Sequence, residues 1–455
     1  MNKAWLLGAA LLCGCQTLAI ADPAGLGTGE AIAATVPDAL PFAVPAERAA
    51  SFGALYDDPL LARYIQRALS ENTDIDAARA RLRGAEARLA QARARRSLTL
   101  SAGASAGVAT ALDDIDPIDN AGLNLGVGYD PDLFGGLRAG VRGEAARAAI
   151  AQFDLARLRR AIAARTAQSY IAVVAADARL ALARENFEFL GETLRVSRAR
   201  FEAGDIARAD FALSEAEYEN SRAALVDQEL SARETRRALA TLINAYADEA
   251  LPVADALPRA LGPGVGLREA ADRAVLSRFD VEAARLGVVA AVADVDAVRA
   301  STLPSVSLSG SVAGGLKLSD LLDIDTYIAR LTAGISDVLF DGGGETARIE
   351  GARASVDAAL ARFEAQARDA YRELVSGFDR VAVAEQRVRA LQAASAAAET
   401  ALELEQVRFD LGEAILLDVL TVQRRVNSIR GARISAEADL LQSLADAYLA
   451  AGPAQ

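Results

Sequence analysis

The sequence contains no histidine, one methionine at position 1, and two cysteines, Cys13 and Cys15. Imidazole acid–base chemistry and metal sites built on His or Met ligands are therefore excluded. Lysine is confined to Lys3 and Lys317, neither in the glycine context of a phosphate-binding loop. Only a pair of carboxylates could carry catalysis, and none is singled out, so neither an enzyme, a bound metal nor a cofactor is expected. Aromatics make up 5% of the 455 residues, while alanine and arginine dominate, the composition of long helices with charged outer faces. A net charge of -13 disfavours nucleic acid as a partner.

What is present begins at the N-terminus. Lys3 is followed by the apolar run Ala4 to Leu12 and then by Leu-Cys-Gly-Cys, ending at Cys15. These are the basic and apolar regions of a secretory signal, too short to span a membrane as a helix. With Leu12 three residues before Cys15 and Gly14 just before it, the segment resembles a bacterial lipoprotein signal, in which the cysteine is lipidated and becomes the first mature residue. Residues 1–14 are expected to be the signal peptide and 15–56 a lipidated, extended arm rich in Ala, Pro and Gly. Several acyl chains anchor stably where one is marginal. Gln16, where an aspartate would favour the inner membrane, points by analogy to the outer one.

The rest of the chain is written twice. Asp74 to Arg79 (DIDAAR) matches Asp280 to Arg285 (DVEAAR), and Leu133 to Gly136 (LFGG) matches Leu339 to Gly342 (LFDG), both at a displacement of 206. Ala146-Arg147 pairs with Ala352-Arg353 at the same displacement, whereas Arg200 to Asp210 (RFEAGDIARAD) and Arg408 to Asp418 (RFDLGEAILLD) match at 208. A break carrying Pro252, Pro258 and Pro263 divides the halves. The expected units are residues 57–247 and 266–455, joined by a linker at 248–265, each reading helix, two strands, long helix, helix. Arg138 to Phe201 has no proline and as one helix would extend roughly 95 Å at 1.5 Å per residue. Phe187, Leu190, Leu194 and Phe201 share one face of it, a packing stripe.

Segments 98–108, 123–129, 306–312 and 327–336 alternate apolar residues with Ser, Thr, Gly and other small or polar ones, at about the length of transmembrane strands. A soluble sheet with one wet face would alternate in the same way. Four strands close no barrel, because small barrels need roughly eight and open edges are not tolerated in lipid, so assembly is expected. The intervening segments 109–122 and 316–326 are acidic and polar and read as turns.

A duplicated unit of helices and two strands, with DLFGGLRAG (Asp132 to Gly140) and LFDGGGETAR (Leu339 to Arg348) leaving the strands, PSVSLSG at Pro304 to Gly310 and the paired RFxxGxxxxxD motifs, resembles the outer-membrane efflux proteins. These are the TolC-like channels, and the lipidated branch resembles the NodT-type lipoproteins of resistance–nodulation–division efflux systems. The likeness runs from about Asp57 to the C-terminus. Departures are SLTLSAG, where a proline is usual, and a C-terminus of AGPAQ in place of Gly-Gly-Trp. The resemblance implies an α+β membrane protein, a homotrimer whose four strands per protomer close a 12-stranded outer-membrane β-barrel, with long antiparallel helical hairpins forming a periplasmic α-barrel. It also implies a periplasmic adaptor protein and an inner-membrane pump as partners, for a passive exit duct carrying small molecules such as drugs out of a Gram-negative cell. A channel for type I secretion keeps the fold and changes the job; a structural trimeric coiled coil leaves the strands unexplained.

In this frame each RFxxG lies where a long helix reverses, and glycine supplies the positive φ that ends it. Gly204 and Gly412 are the expected periplasmic tips and adaptor contacts. Asp210 and Asp418 stand at the start of the returning helices, where helix amides favour a carboxylate. By resemblance Asp418 matches a carboxylate of the constriction that closes the tunnel, and Asp210 its counterpart. A second acidic position is here Thr421, and the tyrosine and arginine that lock the tips are here Phe409 and Ala414, which implies a looser lock.

Overall fold

The computed structural model describes residues 55–111, 114–260, 278–316 and 324–452. Cys15, the signal and most of the N-terminal arm lie outside the described residues, as does the end of the linker. In chain order the elements are α1 (Pro59–Glu71), α2 (Thr73–Ala94), β1 (Thr99–Ala111), β2 (Asp114–Tyr129), α3 (Gly136–Glu202) and α4 (Arg208–Leu242), followed by α5 (Phe279–Ser301), β3 (Ser305–Leu316), β4 (Ile324–Ser336), α6 (Gly344–Asp410) and α7 (Leu416–Ala450). None of the described helices is long and apolar enough to cross a membrane.

Helices α3 and α6 each run 67 residues without interruption, about 100 Å at 1.5 Å per residue. The stripe on α3 packs against α4: Phe187 stacks on Tyr218 with ring centroids 5.0 Å apart, Phe201 on Phe211 at 5.3 Å, and Leu190 is buried. The main core lies midway along α3, where Ile162, Tyr170, Ile171 and Val174 meet Leu61 and Ile65 of α1, Leu239 of α4 and Leu441 of α7. Asp58 sets the entry to α1. One carboxylate oxygen accepts the N–H groups of Leu60 and Leu61, and the other accepts the Tyr170 hydroxyl at 2.7 Å. Burial, and then that carboxylate, push the Tyr170 phenol well above its ordinary value. The described part of the linker is sewn to this core, since Tyr64 donates to the Pro252 carbonyl and Ala254 N–H donates to Tyr170.

Two arginines hold the end of α7, where unpaired carbonyls favour cations. Arg160 of α3 donates to the carbonyls of Tyr448 and Gly452, and Arg278, just before α5, donates to that of Ala450.

The strands form one antiparallel sheet in the order β1-β2-β3-β4. Register decides its character. Leu100 faces Val127, Leu125 faces Val312, Tyr129 faces Leu308, and Val306 faces Ile335, so the apolar sets of all four strands fall on one side. The other side pairs Ser101 with Gly126, Ser305 with Ser336 and Ser309 with Thr332. A slip of one residue at any strand would invert its faces, so agreement across three pairings fixes the register.

The strands run further than their alternation indicates. The acidic segment read as a turn at 109–122 is mostly strand, with Ala111 paired to Asp114, and β3 and β4 likewise extend to Leu316 and back to Ile324. Among the described residues, β2 before Ala121 pairs with β1 alone. Strand pairing is made by backbone groups and does not require apolar side chains there.

The turns from sheet to helix also differ between the halves. Asp132 (φ +48°) stands before Leu133-Phe134 and accepts the N–H groups of Leu137 and Arg138, while Asp341 stands after Leu339-Phe340 and accepts those of Gly343 and Glu345. By pairing register β3 follows β1 by 206 (Thr99 to Ser305), whereas β4 follows β2 by 208 (Gly128 to Ser336), as do both ends of the long helices (136 to 344 and 202 to 410), so the two extra residues of the second half lie between β3 and β4. In helix register Ala146 therefore corresponds to Ala354, and the match to Ala352 is out of phase.

Candidate gate at the helical tips

Both long helices end in the same turn. At the first tip Asp205 N–H donates to the Arg200 carbonyl at 2.8 Å and Gly204 N–H to that of Phe201 at 3.0 Å; at the second, Glu413 bonds Arg408 at 2.8 Å and Gly412 bonds Phe409 at 3.0 Å. These paired bonds are a Schellman motif, which needs a left-handed residue between them. Gly204 (φ +83°) and Gly412 (φ +77°) supply it. The Arg-Phe of each motif thus provides the accepting carbonyls.

A Cβ at Gly412 would meet no atom within 4 Å, so Gly412→Ala is expected to act through backbone strain alone, about 1–2 kcal/mol. Hydrogen exchange at Leu411 to Glu413 should accelerate about tenfold, since 1.4 kcal/mol is a factor of ten. Gly84→Ala inside α2, equally uncrowded, should instead stabilise its helix by up to about 1 kcal/mol.

Asp210 and Asp418 both occupy the third position of their helices, are exposed, and enter no ion pair among the described residues. They differ in hydrogen bonding. The Asp418 carboxylate reaches back to the Ile415 N–H at 3.2 Å, one half of a capping box, because isoleucine has no acceptor to complete it. No hydrogen bond joins Asp210 to Asp418. Thr421, one turn beyond Asp418, donates to the Leu417 carbonyl at 2.7 Å. Phe409 is half-buried beneath the Arg200 guanidinium, 5.5 Å from the ring centroid, within cation–π range. An arginine of one hairpin therefore sits on the aromatic ring of the other, although Ala414 offers no charge.

Further contacts bind α7 to the first hairpin and, through Glu399, to α6. Arg424 pairs with Glu217 at 3.5 Å, Arg430 with Glu185 at 3.0 Å and with Glu399 at 2.8 Å, and Asn427 donates to Asn186. Hydrogen bonds from Arg430 and Ser395 hold the Glu399 carboxyl below its ordinary value. Sequence reasoning missed these residues. Arg200 stood in the quoted motif, but its partner lies in the other hairpin.

Twin helical hairpins, a two-faced sheet and matched glycine tips can now be set beside known proteins. The profile of the family described as outer membrane efflux protein matches residues 64–245 and again 270–453. The chain belongs to that family. It is 27% identical over 417 residues to the pyoverdine export outer membrane protein OpmQ of Pseudomonas aeruginosa, covering 88% of this chain and 86% of that one. It is 25% identical to nodulation protein T of Rhizobium leguminosarum bv. trifolii, covering 82% and 81%. Among solved structures it resembles the open state of the MtrE outer membrane channel of Neisseria gonorrhoeae, with a TM-score of 0.77, 26% identity and coverage of 88% and 90%. The family is one of channels, not of enzymes, and this efflux protein has their helical architecture with a four-stranded sheet.

Proposed function

We propose that this efflux protein is a homotrimer, lipidated at Cys15, that forms the outer-membrane exit duct of a tripartite pump. The observation that carries the reading is the sheet: one face is apolar across all four strands, and β1 and β4 each lack a second neighbour among the described residues. Three copies joined β4 to β1 give a closed 12-stranded barrel with no open edge, the form in which a sheet is stable in lipid. The two repeats, 57–247 and 266–455, then supply six hairpins to a periplasmic tunnel. The tips around Gly204 and Gly412 meet a periplasmic adaptor, which couples the duct to an inner-membrane pump of the resistance–nodulation–division class. Transport through the duct is passive, so the pump provides both the energy and the choice of cargo. Small molecules such as drugs are the proposed cargo, in keeping with relatives named as efflux pump components.

Asp418, Asp210, Thr421 and Phe409 line the proposed constriction. Threefold symmetry turns each exposed carboxylate into a ring that repels anions and gathers cations. Planar-bilayer recordings should show a small, cation-selective conductance for the wild type. Asp418→Ala should enlarge it or shift the reversal potential toward non-selectivity. Unchanged size and selectivity would leave Asp418 a helix cap, and no pores from inserted oligomers would overturn the channel reading.

A further inference from the structure

At the base of the sheet a cavity of about 730 Å³ opens between the C-terminal ends of α2 and α5 and the first turns of α3. That volume is within the roughly 300–1,000 Å³ typical of small-molecule sites. Five arginines line it: Arg93, Arg96, Arg138, Arg142 and Arg299. Two are neutralised, Arg142 by Asp296 at 2.8 Å and Arg138 by Asp132 at 3.2 Å. Arg93, Arg96 and Arg299 enter no ion pair among the described residues. In a chain of net charge -13, three uncompensated cations in one hollow invert the local sign. The α3 amides of Leu137 and Arg138 are already given to Asp132, so guanidinium groups, which suit phosphate oxygens, define the chemistry.

Position adds a second constraint. Arg96 precedes β1 by three residues and Arg299 precedes β3 by six, so the cations sit on the helical side of the sheet's end. Beside them Leu98, Leu133, Phe134 and Leu303 are exposed, and Phe134 and Leu303 line the cavity itself. Arginines next to exposed apolar side chains at the end of a lipid-facing sheet match the level of phospholipid headgroups.

We propose that this hollow binds the headgroup phosphate of an anionic phospholipid in the periplasmic leaflet of the outer membrane, with its acyl chains against Leu133, Phe134 and Leu303. The inference rests on the sheet's being the membrane segment. Phosphate is held by Arg93, Arg96 and Arg299, and a choline headgroup is disfavoured because it adds a cation to the same hollow.

The test uses the full-length protein, purified as its native oligomer in neutral detergent and examined by native mass spectrometry with equal amounts of dioleoylphosphatidylglycerol and dioleoylphosphatidylcholine. The expected result is retention of phosphatidylglycerol about tenfold above phosphatidylcholine, equivalent to 1.4 kcal/mol, lost in the triple variant Arg93→Gln, Arg96→Gln, Arg299→Gln with oligomer mass and helicity unchanged. Equal retention of the two lipids, or a triple variant that keeps the preference, would overturn the site. Displacement of the lipid by millimolar inorganic phosphate would overturn the lipid assignment in favour of a soluble anion. Should the triple variant lose its oligomer, Arg96→Gln and Arg299→Gln singly must each weaken the preference for the proposal to stand. Bilayer recordings on the same wild-type preparation separate the two readings: pores without lipid preference overturn the site alone, and preference without pores overturns the duct alone.

Discussion

Leu331→Arg will keep the protein out of the outer membrane as a folded oligomer, whereas Thr332→Arg, one residue along the same strand, will assemble. Leu331 faces Gly310 on the apolar side and is 87% exposed, while Thr332 faces Ser309 on the polar side. Both lie near the middle of β4, so depth is held constant and only the face changes. An arginine on the lipid side near the midplane of a barrel costs about 2–4 kcal/mol, and each oligomer carries it once per protomer. In the proposed barrel, Thr332→Arg places its charge in the lumen and should move ion selectivity toward anions. Membrane fractionation and the fraction of heat-modifiable oligomer on gels read the contrast. Equal assembly of the two variants would show that the apolar face does not meet lipid.

Arg278→Ala should be the most destabilising single change in the helical region. The Arg278 side chain is buried and donates to both Asp280 oxygens, to Glu373 of α6 and to the Ala450 carbonyl of α7. Truncation leaves Asp280, whose side chain is only 20% exposed, with the Gln366 amide and the Val281 N–H but no cation, and takes the donor from the Ala450 carbonyl. Removing one partner of a buried pair costs about 3–5 kcal/mol; Glu373, half in solvent, adds little to that. Thermal unfolding in detergent, followed by helical circular dichroism at a fixed scan rate, should record a large fall in Tm. The double variant Arg278→Ala, Asp280→Asn should lose less than the sum of its parts. A loss of under about 1 kcal/mol would place Arg278 among ordinary surface arginines.

The same pair sets an acid limit. Burial alone would raise the Asp280 carboxyl, but the hydrogen bonds and charge of Arg278 outweigh it and hold the group below its ordinary value. A depressed carboxylate contributes stability that is complete above its unfolded value, about 3.9, and is lost as pH falls through the lower folded value. The gap between wild type and Arg278→Ala should therefore narrow below about pH 4.

Much of this was legible before any coordinates. The lack of proline from Arg138 to Phe201 predicts a helix that in fact runs Gly136–Glu202, and the parity of each strand names the face that pairing unites. Strand ends were not legible, because acidic residues around Pro117 carry turn chemistry while their backbone still pairs. Arg278 was invisible for a different reason. Its partners lie 95 and 172 residues away on separate helices, and no local pattern marks such a convergence. Arg200 sat in plain view beside Gly204, yet only the glycine had a local explanation; the ring that covers its charge belongs to the other hairpin.

The place of the two-residue difference between the halves has a wider meaning. Strands repeat every two residues and helices every 3.6, so one extra residue inside a strand would turn its faces inside out, and one inside a helix would swing everything beyond it by about 100°. Here the surplus falls between β3 and β4, at the end of the sheet away from the helices, and it is an even number. The strands keep their faces, the step from sheet to helix stays at eight residues in both halves (Gly128 to Gly136 and Ser336 to Gly344), and both long helices keep their 67 residues. The strand hairpin is thus the free end of each repeat, where length can change while the helices below it stay in phase.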